Sequence, residues 1–235
     1  MDVGKSIGYA FEDQNWTNKL LLGVVVTIIP IVNFAYLGYL TIIMRNVSEH
    51  NPQPLPEWDN FADKFVRGAI LFLAGLIYSL PALALFCPLV FLPFLRGADD
   101  GQNVAAGLFA GGMLLISCGL MIYGLILSFL MPAINLNFAR KNTISACFEF
   151  GEIWRIITHN LGDYIVAWLI TFVIGAAVSF VMGIVGGILF IIPCVGWLAG
   201  WALLSLTGVW LGTVYAHLFG QIDPQAPDQT LIPTA

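Results

Sequence analysis

The sequence predicts an all-α polytopic membrane fold, and three observations carry that prediction. Of 235 residues, 59% are hydrophobic and only 10% charged, against about 25% charged in a soluble domain. So apolar a chain cannot cover itself with polar surface in water, so its solvent is a bilayer. The apolar residues also fall into runs that could cross ~30 Å at about 1.5 Å per helical residue. The charges border these runs and do not interrupt them.

About five spans are expected. The first covers 19–44 and is broken by Pro30; a hairpin kinked at Pro30 would put the N-terminus on the other side. The second, 68–95, contains Pro81, Pro88 and Pro93 and is the best candidate for a broken helix with an open polar backbone. The third covers 104–136. The fourth and fifth, 164–190 and 195–219, share one apolar stretch too long for a single crossing. Its only punctuation is "IIPCVGW", which places a tight apolar turn around Pro193 and Gly196. Residues 1–220 then form one membrane domain. The segment 221–235, "QIDPQAPDQTLIPTA", reads as a disordered tail.

Between spans one and two, residues 56–67 read as an amphipathic helix lying in the headgroup layer. Trp58, Phe61, Ala62, Phe65 and Ala69 share one face, and Asn60, Asp63, Lys64 and Arg67 take the other. Pro56 suits the first turn, with Glu57 and Asp59 at the positive end of the helix dipole. Trp58, Phe61 and Phe65 are its expected anchors, and Gly68 lets the chain turn into the bilayer. A second interfacial helix is expected over 143–159, where Cys147, Phe150, Trp154, Ile157 and Leu161 oppose Glu149, Glu152, His159 and Asp163. Phe150 and Trp154 are its anchors. A weaker third copy, Val3, Ile7, Ala10, Phe11 and Trp16, precedes the first span. With the echo of "IIPIVNF" at Ile28 and "IIPCVGW" at Ile191, these segments suggest an internal repeat.

Arg45, Lys64, Arg67, Arg140, Lys141 and Arg155 are expected to face headgroups on one side, and Lys5, Lys19 and Arg96 on the other. The positive-inside bias then puts both interfacial helices and the C-terminus in the cytoplasm and the N-terminus outside. Gly175, Ser179, Gly183 and Gly187 recur every four residues on span four, and Gly196, Gly200, Gly208 and Gly212 nearly so on span five. Helices in lipid associate where small residues let backbones approach. The two seams are therefore expected to face each other as an antiparallel pair.

Three stretches, "LLLGVVVTIIPIVNFAYLGYLTIIMRNV", "LPEWDNFADKFVRGAILFLAGLIYSLP" and "PAINLNFARKNTISACFEFGEIWRIITHNLGDYIVAWL", resemble the prokaryotic membrane family called domain of unknown function 4013. The resemblance implies a multi-span protein of a bacterial or archaeal cell membrane. It supplies no activity, substrate or catalytic residue.

The residues themselves carry no catalytic constellation. No Asp, Glu, Lys or Arg lies well inside a span, and no HExxH, paired-glutamate or GxSxG pattern occurs. The four cysteines lie far apart with no CxxC, so no metal site, disulfide or cofactor is expected. His217 reads as a boundary residue reaching headgroups. A net charge of -5 without a basic block gives nucleic acid no footing. The first fifteen residues hold no short apolar core with a cleavage site, so the first span is expected to be its own insertion signal. The expectation is a non-enzymatic organising or accessory protein that binds membrane lipids or other membrane proteins. The alternative is a transporter or channel for a small or lipidic solute, although the lack of mid-membrane carboxylates argues against proton coupling.

Overall fold

The computed structural model describes residues 1–51, 55–95, 103–192 and 194–222, with the side chains of 88–95 and 103–109 outside the description. The described residues form helices and turns without strands. In order they are α1 (Val3–Gly8), a 3-10 turn (Tyr9–Glu12), α2 (Trp16–Ile28), α3 (Phe34–Ser48), α4 (Phe61–Leu95), α5 (Asn103–Lys141), a 3-10 turn (Ile144–Phe148), α6 (Phe150–His159), α7 (Leu161–Leu189) and α8 (Val195–Gly220). The chain divides into two compact units. The larger holds Met1–Leu71 and Ala133–Ala235, and the smaller holds Phe72–Pro132.

Four helices, α4, α5, α7 and α8, are long and apolar enough to cross a membrane. The expected first span is not a fifth. Its residues form two short helices, α2 of 13 residues and α3 of 15. At 1.5 Å per residue each reaches only about 20 Å, short of a ~30 Å hydrocarbon core. Pro30 lies in the turn between them. A proline lacks the N–H needed to continue a helix, and here the chain reverses instead of kinking.

Contacts with α8 fix the direction of each arm. Gly23 of α2 lies beside Val209, and on α3 the Tyr36 hydroxyl donates to Val209 O at 2.8 Å. Further along, Met44 and Val47 lie against Gly220. So α3 runs parallel to α8 along its C-terminal half, and α2 returns from the same end. The N-terminus closes beside the end of α8, where Asp2 N–H donates to Gln221 Oε1 at 2.7 Å. The N-terminus and residue 221 therefore share a side, which corrects the expectation that they lie on opposite sides.

Most of the expected seam makes no close backbone approach. A Cβ added at Gly175, Gly183, Gly187, Gly200 or Gly208 would meet nothing within 4 Å, and Ser179 is exposed. The helices α7 and α8 do pair antiparallel, with Tyr164 against Phe219 at one end and Leu189 against Gly196 at the other. Their glycines do not make the contact, apart from Gly196 at the turn. The tight crossings are on α3. A Cβ on Gly38 would sit 1.8 Å from Lys64 O, and one on Gly68 would sit 1.6 Å from Phe34 O. Gly212 leaves the space taken by the Tyr36 hydroxyl, 2.0 Å from an added Cβ. Gly68 thus permits a helix crossing, not the expected turn into the bilayer.

That crossing also removes the expected interfacial helix at 56–67. Residues 55–60 are irregular, and α4 starts at Phe61 and runs on without a break at Gly68. It stays helical through Pro81, so the expected open backbone is absent there. In the smaller unit the Tyr123 hydroxyl donates to Tyr78 O at 2.6 Å, one turn before that proline. The expected tail begins later than 221: Gln221 is hydrogen-bonded and Ile222 is buried, and 223–235 lies outside the described residues.

Candidate functional site

The polar residues of the larger unit gather at one end, where α8, α3 and α5 finish and α7 begins. Two clusters and one helix build that end.

The first cluster joins the N-terminus to α8. Asp2 caps α1, its Oδ1 accepting Lys5 N–H at 2.9 Å. One turn later Ser6 Oγ lies 2.7 Å from His217 Nδ1, with both residues buried. Gln221, four residues on from His217 and so on the same helix face, brings Nε2 to 2.9 Å from that nitrogen and 2.8 Å from Ser6 Oγ. The Tyr9 ring packs on the imidazole at 4.1 Å between centroids. The Gln221 amide is oriented by Asp2 N–H, which must meet its oxygen. Its NH2 therefore faces Ser6 Oγ and His217 Nδ1. His217 is only 4% exposed. It is a buried clasp residue and not the expected boundary side chain in the headgroups.

The second cluster pins the irregular segment before α4 onto α2. Lys19 Nζ meets Asp13 Oδ2 at 2.7 Å, Glu57 Oε1 at 2.8 Å and Leu55 O at 2.9 Å. The Trp58 Nε1–H donates to Lys19 O at 2.8 Å, and its ring stacks on Tyr39 at 4.4 Å and 2°. Burial alone would raise the Asp13 carboxyl. The hydrogen bond and charge of Lys19 outweigh it and hold the carboxyl below its usual range. Trp58 is therefore packed inside a loop and is not a headgroup anchor. Of its expected companions, Phe65 packs on Phe34 with centroids 5.8 Å apart, and Phe61 on the first turn of α4 remains exposed.

The third feature is α6, which spans the second half of the expected interfacial helix at 143–159; a 3-10 turn takes the first half. Its face divides differently from the expectation. Cys147, Ile153, Ile156 and Ile157 are buried in the protein, while Phe150 and Trp154 are 63% and 61% exposed. Asn137 Nδ2 donates to Ala146 O at 2.8 Å, tying this segment to the end of α5. The Lys141 ammonium pairs with Glu149 and holds that carboxyl below its usual range.

The six basic residues expected to face headgroups are not equivalent. Lys64 is 3% exposed, donates to Asp59 O and lies 3.3 Å from Asp59 Oδ1. Arg67 pairs with Asp63 at 2.8 Å, and its Nη1 is buried without a partner among the described residues. Arg140 donates to Ile222 O at 2.8 Å, fastening the end of α8. Lys64 and Arg67 are thus corrected to interior roles. Arg45, Lys141 and Arg155 stay accessible, each beside a glutamate. Reading the sequence missed Ser6 and Gln221, and it set Lys19 among the headgroup-facing charges, whereas Lys19 is 6% exposed. The available signals were the i, i+4 pair His217 and Gln221 at a span end and a lysine opening an apolar run.

The match to known proteins now has a structural setting. The family model described as "Protein of unknown function (DUF4013)" matches residues 21–187, most of the chain. The chain belongs to the DUF4013 family. A further relative, "Uncharacterized protein MJ1189" of Methanocaldococcus jannaschii, is 30% identical over 156 residues, which are 65% of this chain and 50% of the relative. The chain therefore spans about half the length of that relative. No solved structure matches it. The matched family segment runs from α2 into α7. It includes the α2–α3 hairpin and α6, while the clasp residues Ser6, His217 and Gln221 lie outside it.

Proposed function

We propose that this DUF4013 protein is a non-catalytic accessory protein of the cytoplasmic membrane, and that its polar end is a cytoplasmic platform for lipids or other membrane proteins. The observation that carries the reading is the one-sided arrangement of charge. With α2–α3 as a re-entrant hairpin and four crossings, Lys5, Lys19, Arg45, Lys64, Arg67, Arg140, Lys141 and Arg155 share a side. The ninth basic residue, Arg96, lies outside the described residues, between α4 and α5 in sequence. Six on one side, the count for five crossings, becomes eight, and on the positive-inside rule the N-terminus, α6 and the end of α8 are then cytoplasmic. Exposed Phe150 and Trp154 beside Arg155 suit a helix resting at the headgroup boundary. The clasp at His217 and the exposed face of α6 lie where the spans end, which favours a binding platform over a conduction path.

The test is cysteine accessibility in a variant whose four native cysteines are alanine. Gln14→Cys and Ser145→Cys, both at exposed positions, should react with an impermeant maleimide only after the membrane is permeabilised. Labelling of Gln14→Cys alone in intact cells would mean that the hairpin crosses, and the arrangement would fail.

A further inference from the structure

The clasp borders a cleft. A polar cleft of about 630 Å³ lies between the N-terminal segment and the ends of α3 and α8, and His217 lines it. Ser6 and Gln221 occupy Nδ1, so Nε2 is the ring nitrogen left without a side-chain partner in the clasp. Lys5, Asp2 and Glu12 line it too, with Ser48 and His50 opposite from α3 and the residues after it. The side chains of Lys5 and Glu12 are exposed and neither hydrogen-bonded nor ion-paired among the described residues. Asp2 spends Oδ1 on the cap of α1 and keeps Oδ2. The cleft therefore offers the Lys5 ammonium and two carboxylates, none neutralised by an ion pair, beside the His217 imidazole.

Charge of both signs suits a ligand that also carries both. A simple anion would meet Glu12 and Asp2, and a simple cation would meet Lys5; like-charge contacts of this kind disfavour the wrong partner. A phosphate joined to an ammonium answers both. The position adds the second argument. The cleft opens where α8, a spanning helix, ends at Gly220, which is the depth at which lipid headgroups lie.

We infer that this cleft binds the phosphate–ammonium headgroup of a zwitterionic phospholipid of the ethanolamine type. Lys5, beside the His217 ring, holds the phosphate, and Glu12 and Asp2 hold the ammonium. The inference rests on the proposed lipid-binding role and names its ligand.

The experiment uses the full chain purified in mild detergent and reads its thermal unfolding midpoint. The probes are a short-chain phosphatidylethanolamine, the matching phosphatidylglycerol and soluble glycerophosphoethanolamine. Phosphatidylethanolamine should raise the midpoint by several degrees and phosphatidylglycerol by less than half as much. Lys5→Gln and Glu12→Gln, at exposed side chains, should leave the lipid-free midpoint unchanged and abolish that difference. Equal protection by both lipids, or a difference that survives in both variants, overturns the cleft assignment and leaves the general lipid-binding reading standing. Equal protection by the soluble headgroup at the same concentration overturns the lipid as its source. If no lipid protects at all, the assignment and the lipid-binding reading fall together.

Discussion

Two helical hairpins in this protein turn on nearly the same letters. "IIPIVNF" joins α2 to α3, and "IIPCVGW" joins α7 to α8. The arms differ: 13 and 15 residues in the first, 29 and 26 in the second. So do their surroundings. Leu20, Val24, Ala35, Tyr39, Ile43 and Met44 of the short hairpin are buried, whereas α7 buries only Tyr164 and Ala167. The turn motif alone does not decide whether a hairpin spans. Arm length sets the depth it can reach, and a partner helix decides whether a short hairpin is held. Here the partner is α8, which buries 39% of its most apolar window against 6% for α7.

Substitutions can break the short hairpin while sparing the long one. The largest effect is expected from Gly68→Leu, which drives carbon into Phe34 O where α4 crosses α3. Overpacking of this kind costs about 3 kcal/mol or more, enough to lose most folded protein after extraction in detergent. Gly183→Leu, with open space around it, should unfold at the wild-type midpoint. If these two variants behave in the reverse order, the contacts of α3 do not hold the hairpin.

Lys19→Met comes next. It strands Asp13 and frees the segment before α4, at an expected cost of about 2 kcal/mol, visible as faster proteolysis between α3 and α4. The same cluster gives a pH dependence. The Asp13 carboxyl is held below its ordinary value of 3.8 in the fold, so its contribution is complete above that value and fades as pH falls below about 4. Asp13→Asn should flatten this acid limb in a pH series of unfolding midpoints. An unchanged limb would show that Lys19 does not depend on Asp13.

Tyr36→Phe removes the donor to Val209 O and should cost about 1 kcal/mol, read from the same unfolding midpoints. Leaving the midpoint untouched would remove that hydrogen bond from the account of how α3 holds α8. The smallest effect on stability is expected at Trp154, which is 61% exposed; Trp154→Ala should barely move the midpoint. Its spectroscopic signature should still be clear. A variant with Trp154 alone should be quenched more by lipid brominated near the carbonyls than by lipid brominated at the chain ends. A variant with Trp58 alone, stacked on Tyr39, should be shielded from both. Equal quenching of the two would reverse the corrected assignment of Trp58.

The spans with uninterrupted hydropathy were legible from the sequence: α7 and α8 lie within a few residues of 164–190 and 195–219. The hairpin stood only as the alternative to one span broken at Pro30, because hydropathy adds up residues without seeing direction. Two short helices and one kinked span give the same sum, and what separates them is a set of contacts with α8, more than 160 residues away. The segment 56–67 failed for a related reason. Its period was real over Phe61–Arg67, but amphipathic spacing is equally the mark of a helix start packed on one side, and Gly68 served a crossing. The clasp was hidden because Ser6, His217 and Gln221 are ordinary letters until the fold joins the two ends.

The α7–α8 hairpin also bears on how the chain enters the bilayer. From Tyr164 to Gly220 there is no Asp, Glu, Lys or Arg. The turn that must reach the far side, Phe190–Cys194, holds no charge. A charged residue at the membrane centre costs about 3 kcal/mol on insertion scales, so a charged turn would face a barrier as it passed. This turn passes as hydrocarbon. Both arms can therefore cross without carrying a charged side chain through the membrane centre, and the clasp at Gln221 requires α8 to bring the chain back beside the N-terminus.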